Sequence, residues 1–146
     1  MKFEVSIDPS CTEPKIIILT DKMTDEISEI MKRLSETYMD SLPVFSDRGV
    51  EIVDCNHIIR IYTEKQKVFL QTIAGIYTVR SRLYELEEKL DSQCFVRISN
   101  SEIVNIKMIR NMDISMTGTI GVTLAGNVKT YASRRYVAKI KKLFGI

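Results

Sequence analysis

The chain has 146 residues, 45% of them hydrophobic and 27% charged, with 21 Lys and Arg against 19 Asp and Glu. That is the profile of one ordinary globular domain, or of a domain with a small appendage. It excludes a spanning helix: the longest uncharged run, Ile114 to Val128, has 15 residues and contains Gly118, Gly121 and Gly126, where about 20 mostly apolar residues are needed. The N-terminus, MKFEVSIDPS, lacks an apolar signal core. Cys11, Cys55 and Cys94 are odd in number and far apart, and there is one histidine, which disfavours both a disulfide framework and a zinc site. Reduced thiols in a cytoplasm, with no metal and no cofactor, are the expectation.

The net charge of +2 hides an asymmetry. Residues 1–47 hold five Lys or Arg and ten Asp or Glu, while residues 48–146 hold sixteen and nine. After Asp113 no acidic residue follows, whereas Lys129, Arg134, Arg135, Lys139, Lys141 and Lys142 do. A one-sided basic end is the electrostatic footprint of a polyanion binder. The same charges also suit an ordinary C-terminal helix.

In chain order, Phe3–Ile7 alternates apolar and polar, and Lys15–Leu19 is β-branched. Both predict strands. Thr24 predicts an N-cap, with Asp25 and Glu26 where carboxylates suit the helix dipole. Ile27, Ile30, Met31, Leu34 and Tyr38 then recur at helical spacing over Thr24–Met39, and the reading stops near Pro43. Residues 1–47 are therefore expected to be a ββα extension. It is too small to be stable alone, so its apolar stripe should pack on the larger part, residues 48–146, or on a second copy.

From Val50 the period changes to two. Val50–Val53, Ile58–Tyr62, Lys67–Thr72 and Ile76–Val79 predict short strands joined by hairpin-type connections. Ser81 predicts the cap of a short helix carrying Leu83, Leu86 and Leu90. Further strands follow at Phe95–Ile98, Ile109–Met116, Thr119–Leu124 and Val128–Ala132. Closely spaced strands with short turns mean an antiparallel sheet or small sandwich, so the class is mostly β, α+β overall. The last helix begins after Ser133 and buries Tyr136, Val137, Ile140, Leu143 and Phe144 up to Gly145. Arg134 and Arg135 fall in its first turn, where cations oppose the macrodipole at about 0.3–1 kcal/mol each. Folding does not ask for that arrangement, whereas two guanidiniums beside free amides form a strong anion site.

Between two apolar segments, Phe95–Ile98 and Ile103–Val104, lies a polar interruption at Ser99-Asn100-Ser101. It reads either as a turn whose side chains cap their own backbone, or as amides and hydroxyls presented on a rigid scaffold. Asp54, Cys55 and His57 suggest a thiol nucleophile, but residues alternating along a strand end point to opposite faces. No phosphate loop or hydrolase motif is present, so no enzyme is expected.

Phe95-x-Arg97-x-x-x-Ser101-x-x-Val104-Asn105, preceded by Leu83-x-x-Leu86-Glu87-x-x-Leu90 and followed by Ser133-Arg134-Arg135-Tyr136, resembles the LytTR family of bacterial DNA-binding domains from about Val50 to Phe144. The resemblance implies a small antiparallel β-sandwich of the LytTR type, extended by the N-terminal ββα segment and the C-terminal helix. It also implies a sequence-specific transcriptional regulator that reads double-stranded DNA with loop side chains, commonly as a pair of copies on repeated half-sites. Carried over by position, the contacts would come from Lys65, Gln66 and Lys67, from Ser99 and Asn100, and from Arg134 and Arg135, with no small-molecule substrate. Two positions depart from the family. Ser99 stands where His is usual, which shortens the reach. Glu102 stands where an aromatic is common, and would repel phosphate if it faced outward. The residues ahead of Val50 are too few for a receiver domain. The alternative is an interaction module docking on a membrane sensor partner through its acidic N-terminal segment.

Overall fold

The structure, a computed structural model, describes every residue except 36, 37 and 116, and at 35 the backbone alone. The chain divides into two units, Met1–Glu36 and Thr37–Ile146.

Among the described residues of the first unit one helix forms, α1 (Asp25–Ser35). Thr24 caps it as the sequence predicts, its hydroxyl accepting from the Ile27 amide at 3.3 Å. The two predicted strands are absent: residues 3–7 and 15–19 are irregular. Their side chains explain why. Phe3 is 93% exposed and Leu19 92%, and apolar alternation makes a strand only where a partner strand takes its backbone hydrogen bonds. Tyr38 and Met39, counted in the predicted helix, belong to the second unit, where Met39 packs against the core.

The described residues of the second unit form ten strands. β1 (Ser41–Ser46), β2 (Gly49–Asp54), β3 (Arg60–Glu64), β4 (Lys67–Thr72), β5 (Gly75–Val79), β6 (Phe95–Ser99) and β7 (Glu102–Asn105) form an antiparallel sheet in the order β2-β1-β5-β4-β3-β7-β6. β8 (Ile109–Asp113), β9 (Ile120–Leu124) and β10 (Val128–Ala132) form a second sheet, β10-β9-β8. β8 ends three residues before the predicted end at Met116, a residue outside those described. The other helices are α2 (Leu83–Lys89) and α3 (Arg134–Phe144). Arg82, and not Ser81, occupies the N-cap of α2; the box is closed by Glu85, whose carboxylate accepts from the Arg82 amide.

Period-two alternation splits the core in two. Leu42, Val44, Ile61, Leu70, Val79 and Ile103 point to one face of the large sheet and meet Leu83 and Leu86 of α2 and Leu90, its C-cap. Val96 and Val104 point to the other face and meet Ile120, Val122 and Leu124 of the small sheet with Ile140 of α3. Leu143, placed in the buried stripe by the sequence, is 47% exposed. A buried polar contact joins the layers. Glu102 on β7 is 7% exposed; it accepts from the Thr130 hydroxyl of β10 at 2.6 Å and pairs with Arg60 of β3 at 3.3 Å. Glu102 therefore faces inward, and the repulsion expected of an outward carboxylate does not arise.

Candidate nucleic-acid interface

β3, β5 and β6 all run toward one end of the large sheet, so their following turns share that end. The β3–β4 turn is two residues long. Lys65 (φ 50) and Gln66 (φ 67) both lie in the left-handed region and both are exposed, the backbone of a tight type I′ hairpin. Lys67, the next residue, opens β4, where the sequence predicts that strand to start.

The β6–β7 turn is made differently. Between Arg97 and Ser99 the pairing slips by one residue, a bulge that re-aims the strand end. Arg97 folds back over the turn: its Nε donates to the Ser99 carbonyl at 2.9 Å, and a terminal nitrogen donates to the Asn100 carbonyl. Its other terminal nitrogen pairs with Glu87 of α2. The Thr63 amide donates to the Ser101 carbonyl at 2.8 Å, tying this turn to β3 two residues before the hairpin tip. Ser99 Oγ accepts from the Ser101 amide at 3.2 Å, so the turn's side chains do cap their own backbone. Ser99 is spent inside the turn, while Asn100 stands exposed above it.

The start of α3 is brought to the same place. The Ser133 amide donates to the carbonyl of Ile98 at 2.9 Å, and the Tyr136 hydroxyl donates to Asn100 Oδ1 at 3.0 Å. That leaves the Asn100 amide nitrogen to point elsewhere. Ser133 occupies the N-cap position but makes no side-chain cap bond, so its hydroxyl does not satisfy the first amides of α3. Arg134 lies across Gly118, where a Cβ would stand 2.9 Å from its Nε. Arg135 leans over the Tyr136 ring at 5.9 Å. Among the described residues neither arginine has a carboxylate partner.

Within the second unit the structure thus gathers Lys65, Gln66, Lys67, Ser99, Asn100, Arg134 and Arg135 at one end of the large sheet. Sequence reasoning assigned no role to Arg97, although its motif was legible, and counted Tyr136 only as core. It also passed over Arg80 and Arg82, which line a cleft with Lys65 and Lys67.

The other candidate centre has different chemistry. Cys55 is buried, and desolvation, with Asp54 and Asp40 nearby, pushes its thiol up to about 11. A nucleophilic cysteine needs the opposite shift. The Asp54 carboxylate is occupied by the Asn56 amide at 2.8 Å. Among the described residues no group of three or more His, Cys, Asp or Glu is placed to hold a metal. No helix there is long and apolar enough to cross a membrane.

Comparison with known proteins bears on the fold and the family. Residues 48–145 match the model of the LytTr DNA-binding domain. Two Staphylococcus aureus proteins, each described as an uncharacterized HTH-type transcriptional regulator, align with 100% of this chain over 99% of their own length. The one from strain NCTC 8325 is 32% identical and the one from strain MRSA252 is 31% identical. Among solved structures, a LytTr DNA-binding domain from Bacillus cereus superposes with a TM-score of 0.71 at 19% identity, covering 74% of this chain and 99% of that one. With the family model spanning residues 48–145 and the fold shared with a solved member, this protein belongs to the LytTR family of DNA-binding domains.

Proposed function

We propose that the protein is a cytoplasmic regulator of transcription that recognises a specific sequence in double-stranded DNA. Asn100 and Arg135 read base edges in the major groove, and Lys65, Gln66, Lys67 and Arg134 hold phosphates. Asn suits adenine and Arg suits guanine, each bidentately, whereas Lys serves phosphate as a point charge. The observation that carries this reading is the Tyr136–Asn100 hydrogen bond, which joins a carboxamide from one turn to the helix bearing two unpaired guanidiniums. The Staphylococcus relatives bear an HTH label, and that geometry sets a recognition helix beside a second helix. Here no two α-helices are consecutive among the described residues, so turns are the better readers.

Selection of duplexes from a random pool tests the reading, followed by titration of the recovered site. Log K should fall steeply with log salt between about 50 and 200 mM, by about 0.9 per phosphate contact. Affinity indifferent to salt, or recovery of no common sequence, would overturn it. Arg135→Ala should cost about 1–3 kcal/mol on the selected site. Recovered half-sites repeated about one helical turn apart would mark a pair of copies on DNA.

A protein partner, such as a membrane sensor, is the second reading, and it concerns the first unit. Phe3, Val5, Ile7, Ile16 and Leu19 are all more than 70% exposed, a density of bare apolar side chains that suits a docking segment. Removing residues 1–36 should then leave DNA affinity intact and abolish capture of the sensor.

A further inference from the structure

We infer that the cleft between the β3–β4 hairpin tip and the start of α2 is a second DNA-contacting surface, seating the sugar–phosphate backbone that flanks the base-reading turn through Arg80 and Arg82. This rests on the DNA-binding reading and extends its footprint.

The sheet order sets the geometry. Along the loop-bearing end, passing from one strand to the next, Arg80 follows β5, Lys67 opens β4, the Lys65 tip ends β3, and Asn100 lies between β7 and β6. Lys67 stands directly across from Arg80, because Val68 pairs with Val79. Five strands at about 4.8 Å spacing make this edge about 19 Å long. The major groove of B-DNA is about 12 Å wide. With Asn100 at the groove, the Arg80 end of the edge overruns it and meets the neighbouring phosphate backbone.

What lines that overrun fits a polyanion. Lys65, Lys67, Arg80 and Arg82 border an open cleft of about 940 Å³, in which Glu64 is the one carboxylate. None of the four cations has a carboxylate partner among the described residues. Arg80 is held in place by stacking its guanidinium 4.3 Å above the Phe45 ring, which fixes direction and leaves its N–H groups free. Small-molecule pockets are mostly apolar and enclosed; this one is neither. Beyond Arg80, toward β1 and β2, the same end carries Asp40 and Asp54. The favourable field stops there, which limits the surface to one backbone.

The test uses the full chain and a duplex of the selected site with both flanks, measured by fluorescence anisotropy. Arg80→Ala/Arg82→Ala should lower the slope of log K against log salt by about 1.8, two phosphate contacts' worth. The ratio of selected over scrambled duplex should be unchanged, since phosphate contacts carry no sequence. Trimming about half a helical turn from one flank should weaken the wild type and leave the double variant unaffected. Arg80→Lys/Arg82→Lys should restore the slope. If loss of the Phe45 contact lowers the melting temperature of the alanine pair, Arg82→Ala alone should still lower the slope by about 0.9. A wild-type slope in the variants, or equal sensitivity of both proteins to trimming, overturns the cleft assignment while leaving DNA binding standing. Failure of the wild type to select any duplex overturns the parent reading instead.

Discussion

Two turns stand side by side at one end of the same sheet and are built on opposite plans. The turn at Ser99–Ser101 is held from every side: Arg97 grips two of its carbonyls, Thr63 a third, Ser101 donates to Ser99, and Tyr136 holds the Asn100 side chain. The Lys65–Gln66 tip has a tight backbone and two exposed side chains, with no side-chain hydrogen bond among the described residues. A bidentate bond to a base edge needs a donor and an acceptor fixed in direction, so rigidity is useful there. Attraction of an ammonium to phosphate falls off slowly with distance and angle, so a mobile lysine loses little. The contrast suits the proposed division of work, with one turn for sequence and one for charge.

Removing the grip should have the largest effect. Arg97→Ala takes away two hydrogen bonds to the turn and leaves Glu87 without its partner. Destabilisation of about 1–3 kcal/mol is expected by thermal melting. Affinity for the selected duplex should fall about 100-fold, because misplacing Asn100 forfeits a base contact worth about 1–3 kcal/mol along with part of its neighbours'. Arg97 acts by positioning the turn, so Arg97→Lys, which keeps the charge but loses the fork, should rescue stability better than selectivity. Wild-type selectivity in Arg97→Ala would mean that the turn holds its shape unaided.

A smaller effect separates the turns directly. Asn100→Ala should weaken the selected duplex about tenfold and a scrambled duplex hardly at all. Lys65→Ala should weaken both equally and lower the salt slope by about 0.9. The reversed pattern, with selectivity lost at Lys65 and salt dependence lost at Asn100, would exchange the roles argued above.

The same two turns mark what could be read in the chain beforehand. Strands such as Lys67–Thr72 and Val128–Ala132 emerged with their bounds intact, since one buried face imposes a period of two. β1 was missed because Pro43 looked like a breaker. Pro43 pairs with Ile52 on one side only, and β1 meets β5 just at Phe45, so its absent N–H is not needed by the ladder. The N-terminal strands failed the other way: Phe3–Ile7 has the alternation without a partner. At the site, the residue types and their order were legible through a family likeness. The bulge at Arg97 and the reach of Tyr136 were not, because a slip of one residue in pairing, or a contact 36 positions apart, leaves no local periodicity. Nor could Glu102 be oriented, since a carboxylate on a strand faces in or out according to its partners, here Arg60 and Thr130.

The smallest predicted effect concerns the tip's backbone. Lys65 and Gln66 occupy left-handed conformations that cost non-glycine residues about 1–2 kcal/mol each, and Asn-Gly is the pair such a turn favours. Replacing Lys65-Gln66 by Asn-Gly should therefore stabilise the protein by about 1 kcal/mol, read as a rise in melting temperature of about 3–5 °C. The same change removes one cation. The salt slope should drop by about 0.9, the affinity at moderate salt by a few-fold, and the ratio of selected to scrambled duplex not at all. A stabler protein that binds every duplex somewhat less tightly would show that the strain is kept for the charge it displays. A fall in the ratio would mean that Gln66 reads a base, and the division between the turns would then have to be redrawn with the hairpin tip on the reading side.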